Sequence, residues 1–350
     1  MDENKTKKSK SGLIVFIIII ALTVALTVFQ IISSTISPKP KANFKKVPTP
    51  KTPLTWNFNM GKDFKKQKRL SPNEDYIAKI YIEGVIEEGN ESYNQEWLLE
   101  TIDSLMNDKN NVAAILFIDS PGGAVYQADE VYLKLLEYKK SKPLYAYMGS
   151  LAASGGYYIA CASDYIMANR NTLTGSIGVI AGQNLDLTGL MEKVGVKSTT
   201  IHAGANKNMG SFNEPLSQEQ KDILQSIADE CYEQFTDIVV KSRPLTKEEV
   251  LNLADGRIYT AKQAQTNGLI DSIGSFDDAV SRMQNKEFDY KDLEVIDYKY
   301  EPEFNFYSML RGVASDITKK ANSSSLMPEA VEKAITPKTP YPAYFYDSGK

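Results

Sequence analysis

Between Lys10 and Lys39 the chain carries no charged residue, and from Gly12 to Ile32 it reads GLIVFIIIIALTVALTVFQII. Such a run has no place on the surface of a soluble domain. At a rise of about 1.5 Å per residue, roughly 20 apolar residues cover about 30 Å, the thickness of a bilayer core. A cleavable signal peptide has a shorter apolar region of about 7–15 residues, and Pro38 directly after Ser37 makes a poor cleavage junction. The run predicts one transmembrane anchor over residues 13–32, behind a short tail over 1–12. Lysines flank it on both sides, Lys5, Lys7, Lys8 and Lys10 before and Lys39, Lys41, Lys45 and Lys46 after. The positive-inside rule therefore gives no orientation.

Residues 33–72 hold Pro38, Pro40, Pro48, Pro50 and Pro53 among lysines and polar residues, and read as an extended linker. Its Lys62, Lys65, Lys66, Lys68 and Arg69 suit either a solvated spacer or contact with anionic lipid heads. Residues 73–320 are expected to form the folded domain. Strand patterns at Tyr76–Ile82, Val112–Ile118, Leu144–Met148 and Tyr165–Ala168 alternate with helical spacing at Glu96–Met106 and through Val125, Ala128, Tyr132 and Leu135. That alternation indicates an α/β core. After Lys207, which is placed in a loop following a strand, the pattern is mainly helical, over Ser217–Ser242 and Thr246–Leu253. Residues 321–350 read as a tail rich in Ser, Pro and Tyr. Pro328, Pro337, Pro340 and Pro342 preclude a regular helix to its end, yet Tyr341, Ala343, Tyr344, Phe345 and Tyr346 make a β-prone stretch. Such a stretch suits either a solvated tail or a strand added beside a substrate groove.

The formal net charge of −4 carries no basic excess, which argues against nucleic acid as a partner. Cys161 and Cys231 show no metal spacing and read as two thiols rather than a disulfide. Two glycine-rich turns could carry chemistry. Met148–Tyr157 (MGSLAASGGY) runs from a strand into a helix opening at Ser154, where small neighbours admit a substrate backbone and free amides can hold an oxyanion. Ala152 excludes the G-x-S-x-G elbow, and a plain serine N-cap is the competing reading. Asp119-Ser120-Pro121-Gly122-Gly123 ends the apolar strand and could aim further amides into a crevice; a loop needing positive φ angles would look the same. A serine nucleophile needs a base. The one histidine, His202, is a candidate. A lysine serves as well when burial disfavours its charged form, which amounts to about 4–5 kcal/mol for a shift of about three pKa units. Lys193, Lys197 and Lys207 all follow Ser154. Lys193 and Lys197 read as solvated charges at a helix end, and spacing alone does not choose a base.

From about Ile80 to Val280 the chain resembles bacterial signal peptide peptidase A in its short, single-copy Gram-positive form. The motifs that carry the likeness are IYIEGVI, DSPGGAV, GSLAASGGYYIACASD, TLTGSIGVI, AGANKNMGS, ADGRIYTAKQA and GLIDSIG. The resemblance implies Ser154 as nucleophile, Lys207 as general base and Ser176 as the residue orienting that lysine. It implies oxyanion donors at Gly122 or Gly123 together with Gly155, and neither a metal nor a cofactor. It implies the Clp peptidase and crotonase fold, a spiral of ββα units assembling into homo-oligomeric rings. The implied substrates are hydrophobic peptides, the signal-peptide remnants left in the bilayer, cut on the extracytoplasmic side with the N-terminus inside. His202 then has no role. A crotonase-like enzyme acting on acyl-thioesters, or a catalytically silent membrane scaffold, are the rival readings. A nucleophilic Ser154 and an anchor oppose the first; intact Ser154, Lys207 and Ser176 oppose the second.

Overall fold

Val112–Ile118 is apolar throughout, and a strand of that composition must be covered on both faces. The computed structural model, which describes residues 74–302 and 343–345, shows how the cover is built. Strands β1 (Tyr76–Glu83), β2 (Asn111–Ser120), β4 (Leu144–Ala153), β5 (Tyr165–Ala168), β6 (Leu173–Gly175), β7 (Ile258–Thr260), β8 (Ser272–Ile273) and β9 (Glu294–Tyr298) form one sheet. Its order is β7-β6-β4-β2-β1-β9, with β5 pairing β4 and β8. The β6–β7 pair is antiparallel and the other pairs are parallel.

Side chains alternate between two cores, as the period of a strand requires. Ile80, Ile82, Leu116, Ile118, Ala146 and Met148 join the larger one, with α1 (Gln95–Asn107), α2 (Val125–Lys139), α3 (Gly155–Ala160) and α5 (Gln218–Ser242) supplying partners such as Leu98, Leu135, Tyr157 and Phe235. Ile77, Ile115, Tyr145 and Tyr147 face the opposite core, closed by Ala279 and Met283 of α8 (Phe276–Glu287). Between these lie α4 (Thr188–Val194), α6 (Lys247–Leu253) and α7 (Ala261–Thr266). Helices α5 to α8 each open on a capping box, Ser217 with Gln220, Thr246 with Glu249, Thr260 with Gln263 and Ser275 with Asp278. These boxes fix where the later helices begin, because each satisfies amides the helix itself leaves open.

The expected α/β class is what the described residues show. Three local expectations are corrected. The strand expected over Leu144–Met148 continues to Ala153, because Gly149–Leu151 bulge out and the chain then pairs with β6 instead of ending in a turn. Gly122–Ala124 is a short strand, β3, rather than a loop, although Gly122 does take the positive φ, 96, that the loop reading expects. Residues 195–202, before the Lys207 turn, form no strand. Among the described residues no helix is long and apolar enough to cross a membrane. The expected anchor over 13–32 and the linker over 33–72 lie outside those residues, as does the tail over 321–350 except at 343–345.

Cys161, buried, and Cys231, half-buried, form no disulfide among the described residues, and burial pushes the Cys161 thiol up to about 11. The GLIDSIG motif has a structural part to play. Asp271 accepts two bonds from the Arg243 guanidinium at 2.9 Å and one from the Ile166 amide at 2.7 Å, while Arg243 Nε donates to the Gly268 carbonyl. The Arg243 side chain is only 5% exposed, so removing its partner would strand a buried charge. Asp271→Ala is expected to lower stability by about 3–5 kcal/mol in urea unfolding; a loss under about 1 kcal/mol would show that the pair does not hold this edge together.

Candidate functional site

The site grows out of one irregularity in β4. Up to Met148 the strand pairs β5 on one side and β2 on the other. From the last residue of the bulge onward, Leu151, Ala152 and Ala153 pair Leu173, Thr174 and Gly175 of β6. The Thr172 hydroxyl donates to the Gly149 carbonyl at 2.6 Å and that of Thr174 to the Ala152 carbonyl at 2.6 Å. Ser154 comes next. Its amide donates to the Gly175 carbonyl at 2.8 Å, and its backbone sits at φ 54 and ψ −117. A non-glycine residue there stores about 1–3 kcal/mol and persists only where its surroundings dictate it.

Such a turn lifts a serine out of the strand line at the mouth of the following helix. The N-cap alternative does not hold, since the Ser154 side chain makes no capping bond to α3. Its Oγ is buried and has no hydrogen-bond partner among the described residues, a costly state unless another group comes to it. The Gly155 amide opens α3, where the first turn leaves amides without partners inside the helix.

Strand β3 lies beside this turn. The Ile86 amide donates to the Gly122 carbonyl at 2.9 Å and the Ala124 amide to the Ile86 carbonyl at 2.8 Å. Alternation along the strand turns the Gly123 amide and carbonyl to the opposite edge. A side chain at 123 is impossible, because a Cβ there would meet the Ile86 carbonyl oxygen at 1.8 Å. The Gly122 amide is turned elsewhere and donates to Ser120 Oγ at 3.1 Å, while that hydroxyl donates to the Gly84 carbonyl at 2.6 Å. Of the two glycines, Gly123 therefore turns its amide to the edge away from Ile86. Along that edge runs β10 (Ala343–Phe345), antiparallel, with Tyr344 opposite Gly123, and it passes close to α2 and α3.

Ser176 belongs to the same turn system. It follows Gly175, has φ 50, is buried, and donates its amide to the Arg257 carbonyl at 2.8 Å. Ser154 and Ser176 are thus brought together by the β4–β6 pairing. Lys207 is not. It is exposed, in a turn over 203–210, and no hydrogen bond joins it to Ser154 among the described residues. His202 is exposed as well, its Nδ1 3.0 Å from the Gly204 carbonyl oxygen. Lys193 lies in the last turn of α4, as a solvated helix-end charge would. Sequence reasoning overlooked Asp119, Thr172 and Thr174, which hold the bulge. All three sit inside quoted motifs, but only the register shift shows what they bond.

A model of peptidase family S49 matches residues 137–289, a span that includes Ser154, Ser176 and Lys207. A protein of Enterococcus faecium named signal peptide peptidase SppA is 37% identical over 280 residues, covering 77% of this chain and 80% of its own. The chain belongs to peptidase family S49. Protease 4 of Haemophilus influenzae is 35% identical over 235 residues, 66% of this chain and 37% of that protein. The chloroplastic serine protease SPPA of Arabidopsis thaliana is 36% identical over 192 residues, 55% of this chain and 28% of that protein. A hydrolase of peptide bonds needs an activated nucleophile and a cradle for the oxyanion.

Proposed function

We propose that this S49 peptidase is a serine endopeptidase whose nucleophile is Ser154 and whose general base is Lys207, supplied by a neighbouring copy in a ring of ββα spirals. The observation that carries the reading is Ser154, strained in its backbone and with a buried hydroxyl that has no partner among the described residues, beside the Gly123 edge. Neutral lysine takes the Ser154 proton as Oγ attacks the peptide carbonyl. The tetrahedral oxyanion lies between the Gly155 and Gly123 amides, the lysine ammonium returns the proton to the leaving amine, and water releases the acyl group. Ser176, one residue past the Ser154 backbone partner Gly175, orients the incoming lysine.

Supply from a neighbour is supported by the segment that carries the lysine. Leu190, Val194, Val196 and Ile201 are 55%, 64%, 53% and 95% exposed, which is poor use of apolar side chains in a solvated arm but good use in a subunit contact. The substrate binds as a strand on β3, where β10 marks the path. Its class is hydrophobic peptide, signal-peptide remnants among them, as the name of the Enterococcus relative suggests. Residues 13–32 hold the enzyme in the cell membrane with the N-terminus cytoplasmic and the peptidase domain outside.

The test uses the full chain in detergent with a fluorophosphonate probe and a hydrophobic fluorogenic peptide. The wild type is expected to be labelled at Ser154 and to cleave, and Ser154→Ala to do neither. Cleavage that survives in Ser154→Ala would remove this serine from the mechanism. Ser176→Ala is expected to slow turnover about 10-fold with unchanged thermal stability, the loss of one orienting hydrogen bond. Turnover equal to the wild type would reduce Ser176 to a turn residue.

A further inference from the structure

Beside the bulge of β4 stands one side chain that the mechanism does not use. Strand β2 advances from Ile118 to Ser120 while β4 advances from Met148 to Ala152, so Asp119 alone faces Gly149, Ser150 and Leu151. Its Oδ1 accepts from Ser150 Oγ at 2.7 Å and from the Leu151 amide at 3.1 Å. The fit is close: a Cβ on Gly149 would lie 3.3 Å from Asp119 Cβ and 3.3 Å from the Ile118 carbonyl oxygen. Leu151 is three residues before Ser154. On the other side Asp119 leads directly into Ser120, whose hydroxyl takes the Gly122 amide, and its own carbonyl accepts from the Gly84 amide at 3.0 Å.

We propose that Asp119 is a positioning residue that couples the two halves of the site. Its carboxylate fixes the bulge that delivers Ser154, and its backbone anchors the turn that presents the Gly123 amide. The distance between nucleophile and oxyanion donor is set through this one residue. Strained turns hold only when neighbours over-determine them, and a shift of about 1 Å in a reacting group costs about 100-fold in rate. The role is one of geometry, carried by an acceptor oxygen and not by the charge. An amide at the same place keeps an acceptor for Leu151; a side chain that is absent or one atom too short does not. The inference rests on Ser154 being the nucleophile.

The experiment follows the full chain in detergent through three readouts: the rate of Ser154 labelling by the fluorophosphonate, kcat and KM for the fluorogenic peptide, and the melting temperature. Asp119→Ala and Asp119→Ser are both expected to lower kcat and the labelling rate together by about 30-fold or more, with KM within about three-fold and a pH profile of unchanged shape. Asp119→Asn is expected to recover most of both rates. If the alanine variant fails to fold, the serine and asparagine pair decides. Labelling at the wild-type rate in a folded Ala or Ser variant overturns the proposal. So does an Asn variant as slow as Ala or Ser with a displaced pH profile, which would make the charge the active feature. A wild type that is itself unlabelled at Ser154 fails the nucleophile assignment, a different result from a labelled wild type with an equally labelled variant.

Discussion

Ser154→Ala and Lys207→Ala are each expected to be inactive as pure proteins and to regain activity when co-expressed. In a ring where every site takes its serine from one copy and its lysine from the next, a random equal mixture leaves about one site in four with both groups intact, so about a quarter of wild-type turnover should return. A site built within one copy would return nothing. The physical case rests on two complementary deficits. Ser154 Oγ is buried without a partner, and Lys207 is exposed at the far end of an arm whose Leu190, Val194, Val196 and Ile201 find no cover among the described residues. A general base must bring an amine lone pair within reach of the serine hydroxyl, and Lys207 reaches no serine while it lies in solvent. His202→Ala serves as the control and should match the wild type. A silent co-expression would put both groups of each site within one copy, and activity in Lys207→Ala alone would dismiss the lysine.

The elements that sequence reading placed well were those whose pattern is local. Val112–Ile118 declares a covered strand by composition, and Ser217–Ser242 a helix by its mainly helical pattern. What it could not place were features defined by register. Gly149-Ser150 looks like the end of a strand, because glycine next to serine usually is; that the chain bulges there and resumes on β6 depends on Asp119 and Thr172, which lie 30 and 23 residues away from Gly149. Gly122-Gly123 read as a loop because both residues are glycine, yet Gly123 is glycine for the close approach of Ile86, and that approach makes β3. The sequence marks Ser154 as either a helix cap or a nucleophile, and that its side chain makes no capping bond is visible only in the structure. No spacing in one chain could have shown that Ser154 and Lys207 do not meet within it.

Removal of residues 341–350 is expected to lower KM for added peptide several-fold and to leave kcat nearly unchanged. Ala343–Phe345 pairs with Gly122–Ala124 on the edge to which Gly123 turns its amide, so an added substrate strand must compete with the chain's own. A tethered competitor acts at an effective concentration of the order of millimolar, and for an intrinsic Kd of about 100 μM the apparent KM of the full chain rises about 10-fold. At saturating substrate the tail is displaced and the chemical step is untouched, which is why kcat should not move. Strand β10 also lies against α3, the helix that follows Ser154. Mass spectrometry of the purified protein should then find terminal residues missing in the active form and present in Ser154→Ala. A shortened chain with the KM of the full one, together with identical masses in the two preparations, would show that β10 neither blocks nor feeds the site.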